Sequence, residues 1–254
     1  MKKLICILLL LVFLGVLGYC VWQIVGITDE YQVGVDSYEA LEQYVVMPEI
    51  MPVETTADEE PVEVETAPAE IQWPVVDFEA LAQVNSDIVG WLYIPGTVIN
   101  YPVTQGADNE YYLKHLFDGK INSSGCIYLD CGAEGDFTSM NSVLHGHHMK
   151  NGSMFAGICN YKDQSYYEEH PTAMLLTPDG NYLVEFFAGY VCDTAADAWD
   201  YSFDQAWVDK RIRSSYFDAD LVPTVEDRIL TLSTCSYEFK DARFVLHGIR
   251  TKSE

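Results

Sequence analysis

From Leu4 to Trp22 the chain runs for 19 residues without a charged side chain. At ~1.5 Å of rise per residue, a helix of that length covers close to the ~30 Å of bilayer hydrocarbon while satisfying its own backbone hydrogen bonds. Lys2 and Lys3 precede the run, Tyr19 and Trp22 suit an interfacial aromatic belt, and the stretch that follows is acidic. A cleaved signal peptide shares the basic start and the apolar run, yet Gly18, Tyr19, Cys20, Val21 and Trp22 offer no small-x-small cleavage site. The sequence therefore predicts an uncleaved single-pass anchor over residues 1–26, seated in a lipid bilayer. The positive-inside rule puts its amino terminus in the cytoplasm and everything after Val25 outside.

With 254 residues, about half of them apolar, the chain can bury one full-sized core but not two. Against 14 Lys and Arg stand 39 Asp and Glu, a formal charge of -25, which excludes a polynucleotide partner because phosphate binding needs a basic face. After Lys3 the next basic residue is Lys114. Residues 27–75 are acidic, and their second half, Pro52 to Pro74, is rich in Glu, Pro, Thr and Ala. Such a composition self-repels and buries no core, so an extended extracytoplasmic linker is expected there, with a short helix around Ser37 to Val46. Residues 76–254 are expected to form one globular domain.

Helical spacing of Phe78, Leu81 and Val84 behind Asp77 predicts a capped helix at the start of that domain. From Ile88 the texture turns to strands: Trp91 to Ile94 closing on Pro95-Gly96, then Val98 to Val103, Cys126 to Leu129 and Ser142 to His145. Pro178-Asp179-Gly180 joins Leu175 to Thr177 with Tyr182 to Phe187 in a hairpin. Between Ser202 and Tyr216 the apolar period becomes helical, with Ser202 as the expected cap, and Ile229 to Thr234 and Phe244 to Ile249 are strands again. Many short strands with few helices predict a mainly β fold, a closed or nearly closed barrel decorated by helices.

Of the seven cysteines, Cys6 and Cys20 lie in the apolar segment, and the five outside (Cys126, Cys131, Cys159, Cys192, Cys235) cannot all pair within one chain. Thr231-Leu232-Ser233-Thr234-Cys235 brings a cysteine to the end of a β-rich run as the chain turns polar, either an accessible nucleophile or a small apolar plug. Arg243 returns beside it if the two flanking segments pair as antiparallel strands, where a guanidinium would favour thiolate or bind an oxyanion. The bland alternative is a surface arginine paired with Glu238 or Asp241. His145, His147 and His148 cluster in Leu144-His145-Gly146-His147-His148-Met149, as a general acid or base, an incomplete metal set, or a solvated strand end.

Thr231-Leu232-Ser233-Thr234-Cys235 resembles the TLxTC motif of the sortases, Arg243 with Phe244-Val245-Leu246 resembles their strand-opening arginine, and Gly146-His147-His148-Met149 resembles their Gly-His segment. Upstream, Asn85 to Leu92, Ile94-Pro95-Gly96-Thr97, Tyr101-Pro102-Val103, Asp108-Asn109 with Tyr112-Leu113, and Gly152-Ser153-Met154-Phe155 are similar to class B sortases. So are the leading helix and the helical insertion before the cysteine strand. The resemblance covers nearly all of residues 76–254 in the expected order.

It implies a closed eight-stranded sortase-type barrel with an N-terminal helix and a helical insertion before the nucleophile strand. It implies a cysteine transpeptidase that cuts the C-terminal sorting signal of secreted proteins after a Thr, forms a thioacyl enzyme on Cys235, and passes the product to a peptidoglycan amine. His147 would be the acid/base and Arg243 the oxyanion or substrate cation, with Ser233 and Thr234 binding substrate near the acyl group. No metal and no cofactor are expected. Two departures stand out: His145 occupies a place where many class B members have Tyr, and Ser236 a place where an acidic residue sometimes follows the nucleophile. The readings set against this one are a pilin-polymerising sortase, another cell-wall cysteine enzyme, and an anchored protein binding metal or haem through the histidine cluster.

Overall fold

The computed structural model describes residues 2–48 and 71–253. Helix α1 spans Lys2–Glu39, long and apolar enough in its first part to cross a membrane, with the side chains from Leu4 to Val25 exposed. The same helix continues past the apolar run and docks on the rest of the protein. Asn122 Nδ2 donates to the Glu30 carbonyl at 2.9 Å, Gly34 lies against Ser124, and the buried Tyr38 hydroxyl donates to the Gly125 carbonyl. The Tyr38 ring meets Tyr101 edge-on at 5.2 Å, Leu41 is buried in the following 3₁₀ turn, and Asn100 Nδ2 donates to Glu42 at 3.2 Å.

Positions 30, 34, 38, 41 and 42 thus form one helical face. The sequence points to a linker from residue 27, but its first part is a docked helix followed by strand β1 (Val45–Val46), which pairs with β2 (Val75–Val76). The acidic composition concealed it, because Gly34 and Tyr38 become an interface only in tertiary contact. The Pro-rich remainder of the expected linker, residues 49–70, lies outside the described residues.

Helix α2 (Phe78–Val84) begins as expected, with Asp77 accepting from the Ala80 N–H at 2.9 Å and Leu81 fully buried. Strands β3 (Ile88–Tyr93), β4 (Asn100–Thr104), β5 (Ile127–Leu129) and β6 (Asn141–His145) follow, then helix α3 (Gln164–Glu169). After these come β7 (Thr172–Thr177), β8 (Gly180–Asp193), helix α4 (Gln205–Ser214), β9 (Ile229–Cys235) and β10 (Ala242–Lys252). Strands β3 to β10 close into one eight-stranded barrel in the order β10-β8-β7-β3-β4-β5-β6-β9. Closure leaves no open sheet edge. Two pairings are parallel, β4 with β5 and β6 with β9, and the others are antiparallel.

The barrel is filled by side chains such as Leu92, Ile127, Leu144, Leu232 and Phe244, all fully buried. Helix α4 covers the outside of β8, burying Trp207 and Val208 with Phe187 and Ile249. Its cap is Asp204, which accepts from the Trp207 N–H at 2.9 Å, rather than Ser202. Both residue types cap well, and the helix begins two residues later than a Ser202 cap implies. Beneath α4 the Arg211 guanidinium stacks on Trp207 at 3.9 Å and pairs with Asp197 at 2.9 Å, and this bond holds the Asp197 carboxyl well below the usual range.

His247 of β10 is wholly buried, with Nδ1 2.8 Å from Thr231 Oγ1 and Nε2 3.2 Å from the Tyr190 hydroxyl. Thr231 gives its proton to Asn141 at 2.7 Å, so His247 Nδ1 carries hydrogen and Nε2 accepts from Tyr190. Burial, with Arg211 adding to it, lowers the His247 pKa to about 3. The unfolded chain binds a proton there near pH 6.5, so the stability of neutral His247 is complete above that pH and is lost as pH falls toward the folded value. We expect the thermal midpoint to decline already between about pH 6.5 and 5, ahead of carboxylate titration, and His247→Gln to flatten that slope in calorimetry.

A test of the docked helix follows from its buried contacts. In a soluble form beginning at Thr28, Tyr38→Ala should cost about 3–5 kcal/mol in denaturant unfolding, as aromatic truncations in cores do. An unchanged midpoint would mean that the segment is a tether after all.

Candidate active site

Cys235 ends β9, the strand between β6 and β10. In the antiparallel β9–β10 ladder Cys235 stands directly opposite Arg243, so their side chains share a face. Across the parallel β6–β9 ladder His145 pairs with Ser233, and Gly146 N–H continues it by donating to the Ser233 carbonyl at 3.1 Å. Two residues beyond His145, the chain brings His147 level with Cys235 on the side away from Arg243. Cys235, His147 and Arg243 are all half-buried, and together they line a cleft of about 280 Å³ with Leu113, Tyr128 and Trp199.

Gly146 is required where it stands: a Cβ there would fall 2.4 Å from Ile127 Cδ1 and 2.7 Å from the Phe155 ring. The Thr234 hydroxyl donates to the Gly146 carbonyl at 2.8 Å, tying the β9 strand to the turn that carries His147. His147 Nε2 lies 2.7 Å from the Leu113 carbonyl. A carbonyl only accepts, so Nε2 holds a hydrogen and the neutral ring keeps its lone pair on Nδ1. His148 Nδ1 donates to the Cys235 carbonyl at 3.0 Å, bracing the residue that bears the thiol.

Arg243 forms no ion pair among the described residues. The acids set against it in the sequence are engaged elsewhere, Glu238 with Lys162 and Ser236, and Asp241 with Lys240. The Glu238 carboxyl is thereby lowered to about 2, first by Lys162. The arginine keeps only its Nη1 bond to the Ala242 carbonyl, at 3.0 Å.

The three clustered histidines take three different partners, His145 reaching Asp130 at 2.9 Å. Among the described residues no group of His, Cys, Asp or Glu side chains gathers as a metal set. Burial works to raise the Asp130 pKa, but hydrogen bonds from His145, Tyr201, Gly132 and Asn109 outweigh it and hold the carboxyl well below the usual range. All seven cysteines are free. Burial pushes Cys126, Cys159 and Cys192 up to about 11, which keeps these three as inert thiols.

No family model matches the sequence. Curated relatives do. The chain is 31% identical over 248 residues to sortase B of Listeria monocytogenes, covering 94% of each protein. It is 35% identical over 169 residues to sortase B of Staphylococcus aureus, covering 65% of this chain and 69% of that one.

The chain belongs to the class B sortases.

Solved structures agree with its fold. The S. aureus sortase B–substrate complex matches with a TM-score of 0.66 at 34% identity, over 70% of this chain and 85% of that one. Clostridium perfringens sortase B matches at 0.65 and 29% identity, over 69% and 100%. Sortase B of Bacillus anthracis in complex with AAEK1 matches at 0.69 and 27% identity, over 89% and 100%. The protein is therefore a cysteine transpeptidase of this family, on the eight-stranded barrel its sequence implies.

In this sortase Ser233 and Thr234 line the same cleft, and their hydroxyls also make bonds within the fold. Ser233 accepts from Trp199 Nε1 at 3.1 Å and Thr234 donates to Gly146, both side chains being buried. Sequence reasoning missed Leu113, Tyr128 and Trp199 as walls of the cleft. The Tyr112-Leu113 motif was visible, but its place beside His147 depends on the long excursion between β4 and β5. Thr234→Val removes a buried partner of the Gly146 carbonyl and should cost about 1–3 kcal/mol. Denaturant unfolding measures that loss, and an unchanged stability would show that the bond does not hold the histidine turn.

Proposed function

We propose that Cys235 is the nucleophile of this sortase, His147 its proton carrier and Arg243 its cationic stabiliser. The observation that carries the assignment is the meeting of the three side chains in one cleft, Arg243 opposite Cys235 in the β9–β10 register and His147 from the turn after β6. The Cys235 thiol gives its proton to His147 Nδ1, and the resulting thiolate attacks the carbonyl carbon of a threonine in the substrate. Arg243 stabilises the oxyanion that develops or holds the adjacent substrate backbone. The C–N bond breaks as His147 gives a proton to the leaving amine, and a thioester remains on Cys235. An incoming amine then attacks the thioester, His147 takes its proton, and Cys235 leaves as thiolate. With Nε2 held by Leu113, Nδ1 is the nitrogen at which the proton moves.

The substrates in this reading are secreted proteins bearing a C-terminal sorting signal, and the acceptor is an amine of peptidoglycan. The support is by likeness: the S. aureus enzyme has been solved as a substrate complex, and a sortase B has been solved with triglycine. Helix α1 is the membrane anchor, with Lys2 and Lys3 at the cytoplasmic side and the catalytic domain of residues 76–254 outside. Cell-wall anchoring follows as the biological role.

The soluble form beginning at Thr28 is tested on fluorogenic pentapeptides with Pro at the second and Thr at the fourth position. Cleavage after Thr should be abolished in Cys235→Ala, fall by about 10²–10⁴ in kcat/KM in His147→Ala, and fall by about 10²–10³ in Arg243→Ala. Undiminished turnover in either of the last two would remove that residue from the mechanism.

A further inference from the structure

Glu30, where α1 first bonds to the rest of the protein, lies only four positions past Gly26, the end of the expected anchor. Besides the Asn122 bond, the Ser123 N–H donates to the Glu30 carboxylate at 2.9 Å. At ~1.5 Å per residue the separation is about 6 Å, comparable to the roughly 5–7 Å headgroup layer on one face of a bilayer. Helix α1 is unbroken through this region, so no hinge lets the barrel drift away from the lipid. Whatever part of the barrel lies at the level of Glu30 lies at the membrane surface.

That part has an unusual surface. Ile121 is 82% exposed, and the Lys120 side chain beside it is 75% exposed. His115 bridges to Ile121 and stacks on the exposed Tyr111 at 3.9 Å. Residues 111–123 carry Lys114 and Lys120 against a single acid, Asp118, in a chain whose net charge is -25. An exposed aliphatic side chain with an aromatic ring and lysines is the composition of segments that rest in a lipid interface.

We propose that the turn around Lys120 and Ile121 is a second lipid contact, seated on the outer leaflet beside the span. The inference rests on the reading of α1 as the membrane anchor.

The test uses the full chain in vesicles of phosphatidylcholine and phosphatidylglycerol in equal parts, with bromine on the acyl chains as a quencher of tryptophan. Trp22 reports the anchor, through quenching that disappears in Trp22→Phe. Ile121→Trp should add emission that the bromolipid quenches. Val222→Trp, at a position 73% exposed on the loop after α4, should add emission that it does not. Unquenched added emission from Ile121→Trp beside quenched Trp22 overturns the lipid contact and leaves the anchor standing. Equal quenching at the two added tryptophans also overturns it, since the turn would then hold no special place. If Trp22 itself is not quenched, the anchor reading fails and this proposal falls with it.

Discussion

The placement of β9 between two strands of opposite sense is the constraint on which the rest of the structure depends. On one side its antiparallel ladder with β10 fixes Arg243 opposite Cys235, and on the other its parallel ladder with β6 carries the chain on to His147. A slip of one residue in either ladder would turn the partner side chain to the other face of the sheet. The register is held by side chains buried throughout β9 and by the Thr231, Asn141 and His247 hydrogen bonds beneath them. Core packing and site geometry are thus one problem here, solved by the same strand.

Much of this was legible in the sequence because the signals are local. The Asp77 cap, the Pro178-Asp179-Gly180 hairpin turn and the strand ending at Cys235 each depend on residues within a few positions of one another, and the structure has them all. Barrel closure was legible from the density of short strands. Resemblance supplied the strand count and gathered Cys235, His147 and Arg243, which spacing alone left open.

What escaped depends on contacts distant in sequence. Nothing local to Gly34 and Tyr38 tells that they meet Ser124 and Gly125, so an acidic stretch that docks looked like one that does not. Trp199 reaches Ser233 across 34 positions, and Leu113 reaches His147 across another 34. Ser233 and Thr234 line the cleft with Cys235, and the bonds of their hydroxyls to Trp199 and Gly146 are likewise contacts that local sequence does not reveal. The departures at His145 and Ser236 likewise find partners within the fold, in Asp130 and Glu238.

The free cysteines allow one measurement to decide the central claim. Three of the thiols in the globular part are held protonated by burial, and Cys131 is exposed without a histidine beside it among its hydrogen-bond partners. Mass spectrometry of peptides from the enzyme, quenched in acid after mixing with a sorting-signal peptide and no added amine, locates the thioacyl adduct. An acyl group ending in threonine on Cys235 alone is the predicted result. The same group on Cys131 or any other cysteine, or no adduct while the peptide is cleaved, would contradict the account.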